Sequence, residues 1–246
     1  MSSVLERLCS RTGLCVLVDP DRTEPDASCE LAASAESAGA AALLIGTSFD
    51  GSARTGAVAA AMKRACRLPV LLFPGSAGQL VPDVDAVLLL SLVSGRNPQY
   101  LIEEHVRSVP FFQKHPVQTI STAYILVDGG RVTAVEAISQ TRPLPADKPE
   151  IAVAHAQAAR MIGMAAVYLD SGSGAERPVA PELIGAVRRA VRLPLFVGGG
   201  MRTAQQVAAA RAAGADFVVV GNAIEAAGPG AIGELVAAAA TPVPAR

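Results

Sequence analysis

Eight short apolar runs alternate with longer segments of helical periodicity along the whole chain, and few folds are built in this way. The apolar runs are rich in Val, Ile and Leu with little polar alternation, as is typical of strands buried on both faces of a parallel sheet. They are Leu14–Val18, Ala41–Ile45, Pro69–Phe73, Ala86–Leu90, Ala123–Val127, Ala165–Leu169, Pro194–Val197 and Phe217–Val220. The helical segments are Asp26–Ala38, Thr55–Arg67, Pro98–His115, Pro149–Gly163, Pro181–Val191, Thr203–Ala213 and Gly228–Ala240. The alternation predicts an α/β protein, a (β/α)8 TIM barrel, with residues 1–246 forming one domain.

The composition agrees with one large domain that binds neither nucleic acid nor a bilayer. A chain of 246 residues, 51% of them hydrophobic, is too apolar for a disordered protein and has the length of one barrel. The formal net charge is −1 and no basic tract is present, so we expect no nucleic acid partner. Apolar runs such as Ala40–Ile45 are too short to cross a bilayer, which argues against stable membrane insertion.

The use of cysteine indicates a reducing compartment. The four cysteines are far apart in the sequence, without a Cys-x-x-Cys pair or neighbouring histidines, so we expect free thiols rather than disulfides or a metal site. They are Cys9, Cys15, Cys29 and Cys66. Because residues 1–13 are too polar for a signal peptide, the sequence predicts a cytoplasmic protein.

Two connections break the regular rhythm. Between Phe73 and Asp85 the chain contains Pro74, Gly75, Gly78 and Pro82, so a full crossover helix does not fit there. We therefore expect a shortened or missing third helix, which leaves an apolar slot in the barrel wall that suits a long hydrophobic ligand. After the fifth strand, the Asp-Gly pair at 128–129 lies between strand-forming residues and predicts a small β-hairpin.

Glycine-rich turns follow three neighbouring strands and indicate a phosphate site. Active sites of barrel enzymes lie at the carboxyl ends of the strands, and the loops after strands 7 and 8 commonly bind phosphate. Glycines let backbone N–H groups approach an anion closely. The turns are Asp170-Ser171-Gly172-Ser173-Gly174, Gly198-Gly199-Gly200 and Gly221-Asn222. Three such turns together predict a phosphate cradle.

Oxygen ligands follow the first two strands. Asp19 follows the first strand, and Thr47 and Ser48 follow the adjacent second strand. Magnesium prefers oxygen ligands and typically combines one or two protein oxygens with waters and a substrate phosphate. The sequence therefore predicts a Mg²⁺ site formed by Asp19 with Ser48 or Thr47.

Nucleophilic lysine chemistry and a catalytic triad find no support. The three lysines lie away from strand ends, which argues against a Schiff-base aldolase, and the three histidines fall on outer helices, where packing roles are expected. They are Lys63, Lys114, Lys148, His105, His115 and His155.

Several long motifs resemble the geranylgeranylglyceryl phosphate synthase family. They are VDPDR at 18–22, FPGSAGQL at 73–80, SLVSGRNPQYLIEEH at 91–105, DKPEIAVAHA at 147–156, YLDSGSGA at 168–175, GGGMRT at 198–203 and GN at 221–222. The likeness runs in order through nearly the full chain, and SGRNP and DKP are most similar to the second main group of that family. The resemblance implies a Mg²⁺-dependent prenyltransferase that joins sn-glycerol 1-phosphate to a long polyprenyl diphosphate through an ether bond, for lipid biosynthesis.

The resemblance also assigns roles to residues. Asp19 and Ser48 would bind magnesium, with Thr47 as the alternative, and Tyr168 and Asp170 would be catalytic. The substrate-binding positions would be Tyr168, Leu169, Asp170, Ser171, Gly172, Ser173, Gly174, Gly198, Gly199, Gly221 and Asn222. The family usually has glutamate where this chain has Asp170, so the shorter side chain leaves the proton-acceptor role open. Family members are similar in forming dimers or larger homo-oligomers, and Tyr100 and Phe111–Phe112 are candidate interface aromatics.

Three alternatives remain at this point. An enzyme with the same fold and prenyl donor could use another phosphorylated acceptor, such as 3-phosphoglycerate. The carboxylate of that acceptor would require an additional cation near the site, and no lysine is placed to supply it. A sugar-phosphate isomerase of the Amadori type would use Asp19 and Asp128, but the first half of the chain has no convincing copy of the GGGMRT or GN segments. A barrel that only binds a lipid or phosphate would be consistent with Asp170 in place of glutamate.

Overall fold

The computed structural model describes residues 3–47 and 52–243, and within them eight parallel strands form a closed barrel in sequence order. The strands are β1 (Gly13–Val18), β2 (Ala42–Ile45), β3 (Val70–Leu72), β4 (Ala86–Leu92), β5 (Gln118–Leu126), β6 (Ala166–Asp170), β7 (Leu195–Gly198) and β8 (Phe217–Val220). Every predicted apolar run overlaps one of these strands. The predicted (β/α)8 barrel is confirmed.

The helices surround the barrel and begin and end at residues suited to those positions. They are α1 (Val4–Cys9), α2 (Pro25–Ala38), α3 (Ser52–Ala65), α4 (Glu104–Lys114), α5 (Ala134–Ser139), α6 (Pro149–Met161), α7 (Pro181–Ala190), α8 (Ala204–Ala213), α9 (Asn222–Ala227) and α10 (Ile232–Ala239). Thr203 and Gln206 form a capping box that starts α8, and Gly214 ends it in the left-handed conformation. Prolines occupy the first turns of α2, α6 and α7, where the missing N–H is not needed.

The third connection is short, as predicted. Between β3 and β4 the chain forms only a three-residue 3-10 turn, Ala77–Gln79. Glu104 Oε2 accepts a hydrogen bond from the Ala77 backbone N–H at 2.8 Å, which holds this turn against α4. A π-helical turn, Gln99–Glu103, leads into α4.

The predicted β-hairpin after the fifth strand is wrong. Asp128 Oδ1 accepts the Gly130 N–H at 2.8 Å in a local turn, and the chain then enters α5 instead of returning as a strand. The bridge that follows, Val127 with Leu144, is parallel. The physical reason is that β5 is paired on both sides, with β4 and β6, so an antiparallel strand has no free edge on which to pair.

The core has two layers separated by the barrel wall. Inside the barrel, Phe196 stacks on Phe217 with ring centroids 4.5 Å apart, and Tyr168 stacks on Phe196 at 6.0 Å. Outside the wall, alternate strand residues such as Leu43 and Val197 pack against small residues of the helices. This filled interior leaves space for a ligand only where the strands end.

Two further findings concern the surface. No helix within the described residues is long and apolar enough to span a membrane. Of the aromatics considered for an oligomer interface, Tyr100 lines the cavity described below, and Phe112 contacts Phe111 edge to face and packs against the core. The homo-oligomer remains a prediction.

Candidate active site

A cavity of about 280 Å³ opens at the carboxyl ends of the strands. Its polar lining joins residues that are far apart in the sequence: Asp19, Thr47, Glu104, Tyr124, Tyr168, Asp170, Ser173, Arg202, Asn222 and Glu225. The strand order places β5 and β6 between the apolar lining near β3 and β4 and the glycine turns after β7 and β8. Predicted residues from the ends of β1, β2, β6, β7 and β8 therefore meet in one site.

Asp170 is the buried carboxylate of this cavity. Tyr124 Oη donates a hydrogen bond to Asp170 Oδ2 at 2.5 Å, and the Gly172 backbone N–H donates to Oδ1 at 2.7 Å. The residue is only 6% exposed. Burial raises the pKa of Asp170 above its usual value, while these two hydrogen bonds act in the opposite direction. A carboxylate held in this way is a stronger base than an exposed aspartate.

Tyr168 lies one layer deeper. Its ring is sandwiched between Phe73, at 4.9 Å, and Phe196, and a Cβ at Gly198 would overlap its hydroxyl oxygen. Burial raises the pKa of Tyr168 well above its usual value, with the Asp170 charge acting in the same direction. The side chain therefore stays a neutral phenol that forms part of the cavity floor.

The glycine turns after β6, β7 and β8 come together at one end of the cavity. Gly199 adopts φ 78°, and a Cβ there would overlap Asp170 Oδ1 and come within 2.7 Å of the Ser171 nitrogen. Only glycine allows so close an approach of the β7 and β6 turns. Ser173 Oγ donates to Asn222 Oδ1 at 3.2 Å, which connects the β6 and β8 turns. Backbone groups of three loops thus converge at one end of the cavity.

Not every predicted substrate-binding residue faces this space. Leu169 is fully buried between the barrel wall and the helices, because alternate residues of a strand point to opposite faces. Ser171 is also buried, and its Oγ has no hydrogen-bond partner. Gly172 and Gly198 shape the cavity through Asp170 and Tyr168 rather than by lining it.

Arg202 is a residue of the candidate site that the sequence did not reveal. Its guanidinium lines the cavity and donates hydrogen bonds to the carbonyl oxygens of Ala175, at 2.5 Å, and Glu176, at 2.9 Å. The N–H groups of Glu176 and Arg177 in turn donate to the Gly129 carbonyl. The Asp-Gly pair that suggested a hairpin is therefore the support of the β6–α7 loop.

Oxygen atoms suited to magnesium gather after β1 and β2. Asp19 Oδ1 accepts the Asp21 N–H at 2.9 Å, and Thr47 Oγ1 donates to Asp21 Oδ2 at 2.9 Å. Asp19 and Thr47 both line the cavity, whereas Ser48 lies outside the described residues. Residues 3–47 and 52–243 hold no cluster of three His, Cys, Asp or Glu side chains suited to a metal. Two oxygen ligands open to the cavity fit Mg²⁺, which retains waters and binds substrate phosphate.

Glu225 is a second residue that the sequence did not reveal. Arg22 lies between Glu225 and Asp19, with Nη1 3.5 Å from Glu225 Oε2 and Nε 3.7 Å from Asp19 Oδ2. Burial and the nearby Asp19 charge raise the pKa of Glu225, and Arg22 partly offsets both. Its position on α9, four residues after Gly221, gave no separate signal.

The isomerase alternative finds little support in the geometry. Asp128, the second acid of an isomerase, is half-exposed and lies 4.0 Å from Arg177, outside the cavity lining. His105 does line the cavity, and its Nε2 is 2.7 Å from the Leu90 carbonyl oxygen. With Nε2 as the donor in that contact, the ring fastens α4 to β4 and is not free to act as a base through that nitrogen.

Residues 8–239 match the sequence profile of the PcrB family. The chain belongs to the PcrB family. A geranylgeranylglyceryl phosphate synthase of Chitinophaga pinensis is 43% identical to this PcrB-family chain over 210 residues, covering 85% of the chain and 83% of that protein. One from Thermococcus kodakarensis is 40% identical over 214 residues, covering 87% and 84%. The resemblance found in the sequence is confirmed, and with it the class of prenyltransferase.

Solved structures agree. A crystal structure of (S)-3-O-geranylgeranylglyceryl phosphate synthase from Thermoplasma acidophilum, in complex with sn-glycerol-1-phosphate, matches this PcrB-family chain with a TM-score of 0.92 and 28% identity, covering 97% and 99% of the two chains. Thiamine phosphate pyrophosphorylase from Pyrococcus furiosus matches with a TM-score of 0.63 and 16% identity, covering 94% and 97%. The second similarity shows a shared barrel fold alone.

Proposed function

We propose that this chain is a magnesium-dependent prenyltransferase that joins sn-glycerol 1-phosphate to a long-chain polyprenyl diphosphate through an ether bond and releases diphosphate. The observation that carries the proposal is one cavity with a glycine-lined end, an apolar end and the Asp170 carboxylate on a strand between them. The names of the relatives support it, as does the acceptor bound in the Thermoplasma acidophilum enzyme.

The glycine-lined end suits the acceptor phosphate. Gly174, Gly199 and Gly221 line it, and Asn222 adds a side-chain amide. Backbone N–H groups bind phosphate oxygens without a buried lysine, which fits the low charge of this chain. A phosphate fixed there directs one of the two free hydroxyls of the glycerol towards β6, where Asp170 ends the strand. Such positioning contributes to rate by removing translational and rotational freedom.

The apolar end suits the prenyl tail. Phe73, Leu80, Leu89 and Leu90 line it beside the short third connection, where a longer helix would occupy the space. An allylic cation that develops during carbon–oxygen cleavage needs such a wall, because water would otherwise capture it. The tail and the acceptor then meet in front of Asp170.

The reaction balances as a single substitution. The acceptor oxygen forms a bond to the allylic carbon, the bond from that carbon to the diphosphate oxygen breaks, and its electron pair leaves with diphosphate. The hydroxyl proton of the acceptor passes to the Asp170 carboxylate. Asp19 with Thr47 or Ser48 would hold Mg²⁺, which supplies Lewis-acid neutralisation of the departing diphosphate.

A mass-spectrometric assay tests the proposal. Purified protein receives Mg²⁺ and one of a panel of C15 to C35 prenyl diphosphates, with sn-glycerol 1-phosphate, its 3-phosphate enantiomer or 3-phosphoglycerate offered separately. We expect an ether product with sn-glycerol 1-phosphate that is lost in EDTA and restored by Mg²⁺. If product forms only with 3-phosphoglycerate, that compound is the acceptor and sn-glycerol 1-phosphate is not. If no pair of donor and acceptor gives a product, the proposal is overturned.

A pair of variants tests the metal assignment. Asp19→Asn keeps the shape of the side chain and removes its charge, so we expect at least a 100-fold loss of turnover with an unchanged circular dichroism spectrum. Asp26→Asn, on the exposed first turn of α2, is the matched control and should retain full turnover. Full activity of Asp19→Asn would contradict a magnesium site at this residue.

A further inference from the structure

We infer that Tyr124 is a catalytic residue that relays the proton of the acceptor hydroxyl to Asp170. The inference rests on the proposed function and assigns the proton transfer to a side chain inside β5, a strand that sequence patterns marked only as core. Three observations carry it: both oxygens of Asp170 are already engaged, neighbouring aromatic rings hold Tyr124 at the border of the same cavity, and burial keeps its phenol protonated.

The first observation concerns access to Asp170. Oδ1 accepts the Gly172 N–H, and its side is closed by Gly199, where even a Cβ would collide with this oxygen. Oδ2 accepts the Tyr124 hydroxyl at 2.5 Å, a short distance typical of a charge-assisted O–H···O⁻ bond. Both side chains line the cavity, and because the phenol already occupies Oδ2, we place the acceptor hydroxyl against Tyr124 Oη and not directly against the carboxylate.

The second observation concerns the position of Tyr124. In the β5–β6 register Tyr124 lies opposite Tyr168, and Leu126 lies opposite Asp170. The Tyr124 side chain therefore extends towards the carboxyl ends of the strands, where its hydroxyl contacts the Asp170 carboxylate. The ring lies 6.0 Å from that of Phe73 and 5.6 Å from that of Tyr168. Because Tyr124 is buried and its ring packs beside those of Phe73 and Tyr168, the phenol is held against Asp170.

The third observation concerns the protonation state. Burial, followed by the charge of Asp170, raises the pKa of Tyr124 well above its usual value. The hydroxyl thus carries its proton before the reaction and donates it to the carboxylate. Because a phenol with so raised a pKa does not ionise, it takes part only by accepting one proton while it donates another.

The proton balance follows from this arrangement. As the acceptor oxygen bonds to the allylic carbon, its proton moves to Tyr124 Oη, and the original phenolic proton moves to Asp170 Oδ2. Tyr124 ends the step as it began, and Asp170 ends it neutral. The leaving electron pair departs with diphosphate, so no further reactant is required.

A set of four variants tests the relay. Tyr124→Phe removes the hydroxyl and keeps the ring, and we expect turnover to fall at least 100-fold, the scale of a lost acid–base group, while the dissociation constant for sn-glycerol 1-phosphate stays within threefold. Asp170→Glu in the Tyr124→Phe background extends the carboxylate by one methylene into the space of the missing hydroxyl. We expect the turnover of this double variant to be at least tenfold higher than that of Tyr124→Phe alone, because the longer carboxylate then contacts the acceptor directly.

Tyr168→Phe, alone and with Asp170→Glu, is the comparison for specificity. Tyr168 is also a buried phenol, and it lies opposite Tyr124 on the neighbouring strand β6. Asp170 accepts its phenolic hydrogen bond from Tyr124 and not from Tyr168. The same rescue in the Tyr168 background would show a general gain from glutamate and would overturn the relay, as would full turnover of Tyr124→Phe.

The two proposals fail in different ways. If the unmodified protein forms no prenylated acceptor with any donor, the proposed function fails. If the unmodified protein is active and Tyr124→Phe binds the acceptor but loses turnover without rescue by Asp170→Glu, the relay fails and the proposed function stands. Weakened binding of sn-glycerol 1-phosphate by Tyr124→Phe, with turnover at saturation unchanged, would also overturn the relay.

Discussion

Ser173 Oγ donates a hydrogen bond to Asn222 Oδ1 at 3.2 Å, and this contact joins the loop after β6 to the turn after β8. The two residues are distant in sequence, yet together with Gly199 they line one end of the cavity. A contact between two loops that share a ligand sets the width of the space for that ligand. It engages the amide oxygen of Asn222 and not its N–H groups.

Asn222→Asp tests whether this end binds phosphate. The substitution keeps the size of the side chain but exchanges a neutral amide for an anion, which repels a bound phosphate at short range. We expect KM for sn-glycerol 1-phosphate to rise at least tenfold, about 1.4 kcal/mol, with little change in KM for the prenyl donor. Asn222→Gln serves as the neutral control, and equal effects of both variants would indicate a steric rather than an electrostatic role.

Arg202→Met tests the support of the β6–α7 loop. The methionine retains the aliphatic bulk but loses the hydrogen bonds to the Ala175 and Glu176 carbonyls. We expect KM for the phosphorylated acceptor to rise about tenfold, since a hydrogen bond from a charged donor contributes roughly 1.5–3 kcal/mol.

Arg177→Met is the matched control for that variant. Arg177 lies in the same loop, with a side chain 68% exposed, and its ion pair with Asp128 is 4.0 Å long. Exposed pairs of this kind contribute little, so its steady-state kinetics should match those of the unmodified protein. An equal rise in KM for both variants would mean that general positive charge attracts the substrate and that Arg202 does not act through the loop.

The parts of the fold that the sequence predicted are those that apolar burial dictates. Most residues of the barrel strands are buried and apolar, with Val, Leu and Ile predominating, so the positions of the strands followed directly from the sequence. The start of β5 did not, because its first residues, Gln118 and Thr119, are exposed and polar. The six-residue helices α1, α5 and α9 were also missed, since helices of that length depend on tertiary contacts rather than on their own periodicity.

The candidate site shows the same division. Asp19, Asp170 and the glycine turns could be predicted because they follow strands, where barrel enzymes place their ligands. Tyr124 could not, because an aromatic residue inside a strand has the pattern of a core residue, and only the β5–β6 register shows that its hydroxyl reaches Asp170. Arg202 and Glu225 act through contacts across loops that no local pattern encodes.

Asp216→Ala should destabilise the barrel without altering its chemistry. Asp216 forms two hydrogen bonds with the Arg188 guanidinium, at 2.9 and 3.0 Å, and accepts the Leu195 N–H at 2.9 Å, just before β8 and away from the cavity. Both side chains are buried, 8% exposed for Arg188 and 4% for Asp216. Removal of one partner leaves a buried charge unpaired, which costs about 3–5 kcal/mol.

Denaturant unfolding measures this cost. We expect the free energy of unfolding of Asp216→Ala to fall by that amount, whereas kcat and KM at a temperature well below the transition stay unchanged. Replacing Lys63 by Met, which breaks its ion pair with Asp85 between more exposed side chains, should cost under 1 kcal/mol. A similar loss for both variants would contradict the difference in burial.

Asp170→Asn should give a protein that is inactive but more stable near neutral pH. Burial raises the pKa of Asp170 in the folded state above its unfolded value, so the folded protein binds more protons between those two values. The free energy of unfolding therefore falls as pH rises through that window, and the ionised side chain opposes folding at higher pH. Asparagine avoids this opposition, with its oxygen placed to accept the Gly172 N–H and its amide placed to donate to Tyr124 Oη.

Melting temperatures of the two proteins, measured between pH 4 and pH 8, check the sign. Asp170→Asn should melt at a higher temperature than the unmodified protein at pH 8, and the difference should shrink as pH falls and Asp170 becomes protonated. Turnover of the unmodified protein should decline on the acid side at a higher pH than the usual range of an exposed aspartate, since the base must be ionised. A lower melting temperature for Asp170→Asn at pH 8 would mean that the hydrogen bonds of Tyr124 and Gly172 outweigh the cost of burying the carboxylate. The active site would then stabilise the fold rather than weaken it.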